Sequence, residues 1–62
     1  MNTEEKLAQD IMDALNELRD AHSTGNIKLE ERYIRHISKV LLETEFELVI
    51  DKKGLYKIVL KS

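Results

Sequence analysis

The residues of this chain that could do chemistry are two histidines, a serine near one of them, two tyrosines, and carboxylates and bases at regular spacing. Ser38 lies two positions from His36. On a helix that separation turns the side chains about 200° apart, so they form no nucleophile–base pair. There is no cysteine, hence no thiol nucleophile, disulfide or thiolate metal site. His22 and His36 are too far apart in sequence for a dedicated zinc site. No His-Glu-x-x-His or Gly-x-Ser-x-Gly motif occurs, and two glycines cannot build a phosphate-cradling loop. His36 sits beside an apolar arc near Tyr33 and Val40, where local stacking or hydrogen bonding explains it. His22 falls in the last turn of a helix, where the dipole favours a cation. Tyr33 and Tyr56 read as core-edge residues or interface anchors. A short chain has little room for a ligand pocket of ~300 Å³ or more. No catalytic, metal or cofactor site is expected.

The charged residues are more orderly. Asp10, Asp13, Glu17 and Asp20 recur at three and four, which lines them along one side of a helix. That stripe lies roughly 130° from the centre of the helix's apolar face. Lys28, Arg32, Arg35 and Lys39 do the same on a second helix, nearly opposite its apolar arc. Residues 1–22 carry two basic and six acidic side chains, and the remaining forty carry eight basic and six acidic. Like charges at i,i+4 cost a few tenths of a kcal/mol per pair. Opposite pairs such as Glu31–Arg35 and Lys39–Glu43 are fewer. Charge runs are commonly solvated faces. The sharper reading is that one stripe docks on another molecule. The acidic stripe suits a basic groove, and the basic stripe suits an acidic partner or a phosphate backbone. An antiparallel register sets Asp10, Asp13, Glu17 and Asp20 opposite Lys39, Arg35, Arg32 and Lys28. The helical wheel, however, turns the basic stripe away from the first helix, so direct bridges within one chain would be strained.

The elements that position these stripes can be read from hydrophobic period. Leu7, Ile11, Ala14, Leu15, Leu18 and Ala21 form one face of a helix over about 3–22. Asn2 or Thr3 can cap it, and Asn2 with Glu5 resembles a capping box. Ser23-Thr24-Gly25-Asn26 stops it, with Gly25 suited to the left-handed C′ position. A second helix over about 27–43 carries Leu29, Tyr33, Ile34, Ile37, Val40 and Leu41 as its apolar arc. So short a connection makes an antiparallel αα-hairpin. Its register sets Leu7 against Leu41, Ile11 against Ile37, and Ala14 and Leu15 against Ile34 and Tyr33.

From residue 45 the period changes to two. Phe46, Leu48 and Ile50 alternate with Glu45, Glu47, Val49 and Asp51, and Tyr56, Ile58 and Leu60 alternate with Leu55, Lys57, Val59 and Lys61. Strands over about 45–51 and 55–61, joined by Lys52-Lys53-Gly54, make a hairpin with a type I turn and G1 bulge. Ile50–Tyr56, Leu48–Ile58 and Phe46–Leu60 then share the face that covers the helices. Glu45–Lys61 and the Glu47 diagonals to Lys57 and Lys61 share the other. The fold class is α+β, in the order ααββ.

Two features point to self-association. A domain of 62 residues has a small core, and the usual staples are missing. A lone hairpin leaves both edges open, and Val49, Leu55 and Val59 put apolar surface on its outer face. The fold is therefore expected to be completed by homodimerisation through Val49, Leu55 and Val59, with pairing of the first helix as the other option. Net charge is −2 and the apolar fraction 42%, which suits a globular domain and does not favour nucleic acid or anionic membrane. No apolar run approaches a membrane span. Met1 leads into Thr3-Glu4-Glu5 rather than a basic and apolar leader. A cytoplasmic setting is expected. The functional expectation is a small non-enzymatic interaction module, a homodimeric regulator or inhibitor of a larger protein. By analogy, small bacterial and phage-encoded proteins work this way. The alternatives are nucleic-acid binding through the basic face of the second helix and a structural subunit of a larger assembly. Two helices and a hairpin are similar to part of a winged helix, but a third helix is lacking and the first is acidic.

Overall fold

The computed structural model describes residues 3–62; the capping role read for Asn2 lies outside them. The order is α1 (Thr3–Thr24), α2 (Ile27–Leu41), β1 (Phe46–Ile50) and β2 (Tyr56–Leu60). α1 closes in a Schellman arrangement: the Gly25 N–H donates to His22 O at 3.3 Å and the Asn26 N–H to Ala21 O at 2.9 Å. Gly25 has φ +76°, the left-handed conformation this motif requires. The Thr24 hydroxyl donates to the Asp20 and Ala21 carbonyls, which carries α1 two residues past the expected His22. Asn26 then caps α2, its side-chain oxygen accepting from Leu29 N at 3.3 Å.

α2 ends at Leu41, short of Glu43. The Thr44 hydroxyl and amide both donate to the Leu41 carbonyl, at 2.8 and 2.9 Å. The Lys61 ammonium donates to the Leu42 and Thr44 carbonyls. These donors occupy carbonyls at the helix end, so the chain leaves the helix there. The Lys61 ammonium is thus spent on backbone rather than on Glu45, although the expected rung exists: Lys61 N donates to Glu45 O at 2.7 Å.

β1 and β2 pair antiparallel as Phe46–Leu60, Leu48–Ile58 and Ile50–Tyr56, with Glu47–Val59 and Val49–Lys57 between them. Gly54 at φ +84° and the Gly54 N–H to Asp51 O bond at 3.0 Å make the expected turn and bulge. The Asp51 carboxylate reinforces it by accepting from the Lys53 and Leu55 amides, both at 2.9 Å.

The helix pair forms one layer and the hairpin the other, β1 lying against α2 and β2 against α1. Ala14, Leu15, Leu18, Ile37 and Leu41 are the core, with Ile11, Tyr33, Ile34, Leu48, Tyr56 and Ile58 packed on it. Two expectations need correction. Leu7, on the apolar face of α1, is 47% exposed. The covering face of the hairpin meets the core only through Leu48, Ile58 and Tyr56, while Phe46, Ile50 and Leu60 remain 44%, 48% and 63% exposed.

Candidate functional site

The described residues contain no group of three or more His, Asp or Glu placed to hold a metal, and no helix long and apolar enough to cross a membrane. The candidate residues read from the sequence lie on two charged stripes and a hairpin.

Asp10, Asp13, Glu17 and Asp20 are all exposed along α1. Asp13 accepts from Gln9 Nε2 at 3.0 Å. None of the four is in an ion pair among the described residues. Lys28, Arg32, Arg35 and Lys39 are likewise exposed on α2. With Glu31 and His36 they wall an open trough of about 560 Å³, larger than expected of so short a chain. Its walls are long side chains splayed from one convex helix, so its shape follows their rotamers and it is no preformed cavity. Arg35 touches Glu31 at 4.0 Å, an exposed i,i+4 contact of little energetic weight. The stripes do not bridge within the chain, as the helical wheel anticipates.

Val49 and Val59 are half-buried and Leu55 is exposed. Val49 stands opposite Lys57, and Glu47 opposite Val59, so neighbouring aliphatic stems account for the partial cover without a partner. The hairpin edges are more telling. Lys61 N–Glu45 O and Asp51 N–Leu55 O mark the odd-numbered residues as the hydrogen-bonded rungs. By alternation, the backbone groups of residues 46, 48, 50, 56, 58 and 60 point outward. Three of these groups are already taken. Arg19 Nε donates to Tyr56 O at 2.9 Å, Phe46 N donates to the Thr44 hydroxyl at 3.0 Å, and that hydroxyl lies 3.4 Å from Phe46 O. Leu48 and Ile50 leave an open stretch on the β1 edge, and Ile58 and Leu60 leave one on β2.

Sequence reasoning missed the polar latch at the other end of the molecule. Glu30 Oε2 accepts from the Tyr56 hydroxyl at 2.6 Å and lies 2.9 Å from His22 Nδ1. The His22 and Tyr56 rings meet edge-on, centroids 5.5 Å apart. His22 thus answers to a side chain of α2 and a strand aromatic, beyond the helix-end role read for it. The Tyr56 bond, and then the His22 bond, hold the Glu30 carboxyl below its ordinary pKa. The same Glu30 bond, aided by desolvation, pushes the Tyr56 phenol up to about 12. These residues join α1, α2 and β2 across 8 and 26 positions of sequence, so no local spacing announces them. Their groups are engaged with one another, which suits fastening rather than chemistry.

The chain matches no protein-family profile, and neither a curated protein nor a solved structure matches it significantly.

Proposed function

We propose that the protein is a non-enzymatic interaction module, a homodimeric regulator or inhibitor that binds a larger protein through its hairpin. The observation that carries this reading is the incompletely covered two-stranded sheet: Leu48 and Ile50 offer free backbone groups on the β1 edge, beside the exposed side chains of Phe46, Ile50 and Leu55. A free edge is a template for an added strand. The outer face of β1 carries Glu47 and Val49, with Glu45 just before the strand, so the best-matched segment alternates apolar residues with basic ones. Arg19 of α1 crosses the β2 edge at the Tyr56 carbonyl, whereas on β1 only the Phe46 end is taken, by the neighbouring Thr44 hydroxyl. Val49 would then border the bound strand, and Val49, Leu55 and Val59 together, as read from sequence, a second copy.

Selection of extended peptides from a random display library tests the reading. The expected binders are alternating basic–apolar segments that shift the backbone amide resonances of Leu48 and Ile50. Binders that leave both amides unmoved, or acidic binders, would refute the β1 assignment. The basic trough on α2 supports nucleic acid as a second reading. That reading requires a salt-sensitive gel shift with duplex DNA, abolished by R32E/R35E.

A further inference from the structure

We propose that the acidic stripe of α1 and the basic stripe of α2 are the two halves of one interface, joined between two copies of the chain across a two-fold axis parallel to the helices. The proposal rests on the homodimeric reading above and assigns the face that forms the dimer.

Three observations carry it. Both stripes lie on the side of the helix layer away from the hairpin. On α1, Arg19 reaches β2, and the acidic stripe is turned roughly 140° from it. On α2, Ser38 and Leu41 line a cleft with Phe46 and Leu48 of β1, and the basic stripe is turned roughly 120° from them. Both stripes are exposed and form no ion pair with each other. Finally, their spacings match once the helices are aligned. The His22–Glu30 contact at 2.9 Å shows which residues of α1 and α2 stand level. Counting outward from it, Asp20 is level with Arg32, Glu17 with Arg35 and Asp13 with Lys39, which corrects the helix-pair register read from the sequence, where Asp13 faced Arg35, by about one turn. The steps of three and four coincide. Asp10 and Lys28 extend the stripes at opposite ends.

A two-fold axis along the helices preserves these levels. It places the α1 of one copy beneath the α2 of the other, antiparallel to it, and repeats the contact on the other side. The interface is isologous and closed. Asp20, Glu17 and Asp13 of each copy then face Arg32, Arg35 and Lys39 of the second. Arg and Lys stems are long enough to swing from the flank of α2 to the carboxylates. The pairing also explains why each helix keeps a single-sign stripe that is mildly unfavourable to the helix alone. The hairpin stays free for a target.

The experiment is charge-swap complementation, with mass read by light scattering at low and high ionic strength. The wild-type chain is expected to be a dimer at low salt and to dissociate as salt screens the stripes. D13K/E17K/D20K and R32E/R35E/K39E each bring like charges together and are expected to be monomers. Mixed in equal amounts they restore both halves of the interface and are expected to form a mixed dimer. Circular dichroism verifies that the helices persist. Should a triple variant fail to fold, E17R and R35E are used singly, each expected to weaken the dimer on the order of tenfold, and the double E17R/R35E is expected to recover it. A wild-type dimer that ignores these reversals, or variants that do not associate on mixing, would overturn the helix-face assignment and leave the dimer to the hairpin. A wild-type monomer at every concentration would overturn the homodimeric reading as well. Loss of a DNA gel shift in R32E/R35E/K39E without loss of the dimer would give the basic stripe to nucleic acid.

Discussion

Leu18→Ala and Leu7→Ala make the same chemical change on the same apolar face of the same helix, yet their costs should differ severalfold. Leu18 is 0% exposed and Leu7 is 47% exposed. Truncating leucine to alanine removes three carbon groups, worth about 0.8 kcal/mol each when fully buried, or roughly 2.4 kcal/mol of transfer free energy. Leu18 has core neighbours on all sides, so a cavity term adds to this and brings the cost to about 3–4 kcal/mol. At Leu7 about half of the transfer term applies and solvent fills the space, leaving roughly 1 kcal/mol. At about 0.05–0.15 kcal/mol per residue, a domain of this length holds only about 3–9 kcal/mol in total, so Leu18→Ala should leave much of the population unfolded. Urea unfolding followed by far-UV circular dichroism, at one protein concentration for all variants, reads both numbers. Leu18→Met, which nearly conserves volume, should cost less than about 1.5 kcal/mol and keeps the comparison usable if the alanine variant does not fold. Equal costs at positions 7 and 18 would refute the placement of the core.

Three further outcomes follow from particular bonds. The Tyr56 phenol should ionise near 12 in a spectrophotometric titration and move back toward its ordinary value of 10 in Glu30→Gln; because its folded pKa is raised, the stability it contributes is full below 10 and lost as pH rises through about 12. Unchanged titration in that variant would break the latch assignment. The Asp51 carboxyl is held below its ordinary 3.8, chiefly by the Leu55 amide, so its contribution is present above that value and disappears as pH falls through the depressed one. Asp51→Asn should flatten the acid limb of a stability–pH profile, and an unaltered limb would remove Asp51 from the turn's energetics. Gly25→Ala and Gly54→Ala should each cost about 1 kcal/mol, since both glycines have positive φ. The new methyl meets nothing at Gly25 and stands 3.5 Å from His22 Nε2 at Gly54, so thermal melts should show the two costs close together, with no added steric loss at 54.

Much of the fold is legible in the chain because it is encoded locally. Period 3.6 up to Leu41, period two from Phe46, Gly25 and Gly54 at their turns, and alternation on the strands lead to two helices and a hairpin in the observed register. Each depends on neighbours a few positions apart. The single-sign stripes are legible for the same reason, and the structure leaves both exposed.

What the sequence could not rank is which apolar residues are covered. Leu7 and Leu18 share a face, as do Leu60 and Ile58, but coverage depends on where one finite layer ends over another. The long-range polar ties were equally hidden. Arg19 at the Tyr56 carbonyl, Lys61 at the end of α2, and Glu30 between His22 and Tyr56 join residues brought close only when the hairpin folds over the helices. A hydrogen bond needs its partners within about 3 Å. Separations of 37, 19 and 26 residues are closed by packing of layers, which no periodicity along the chain records.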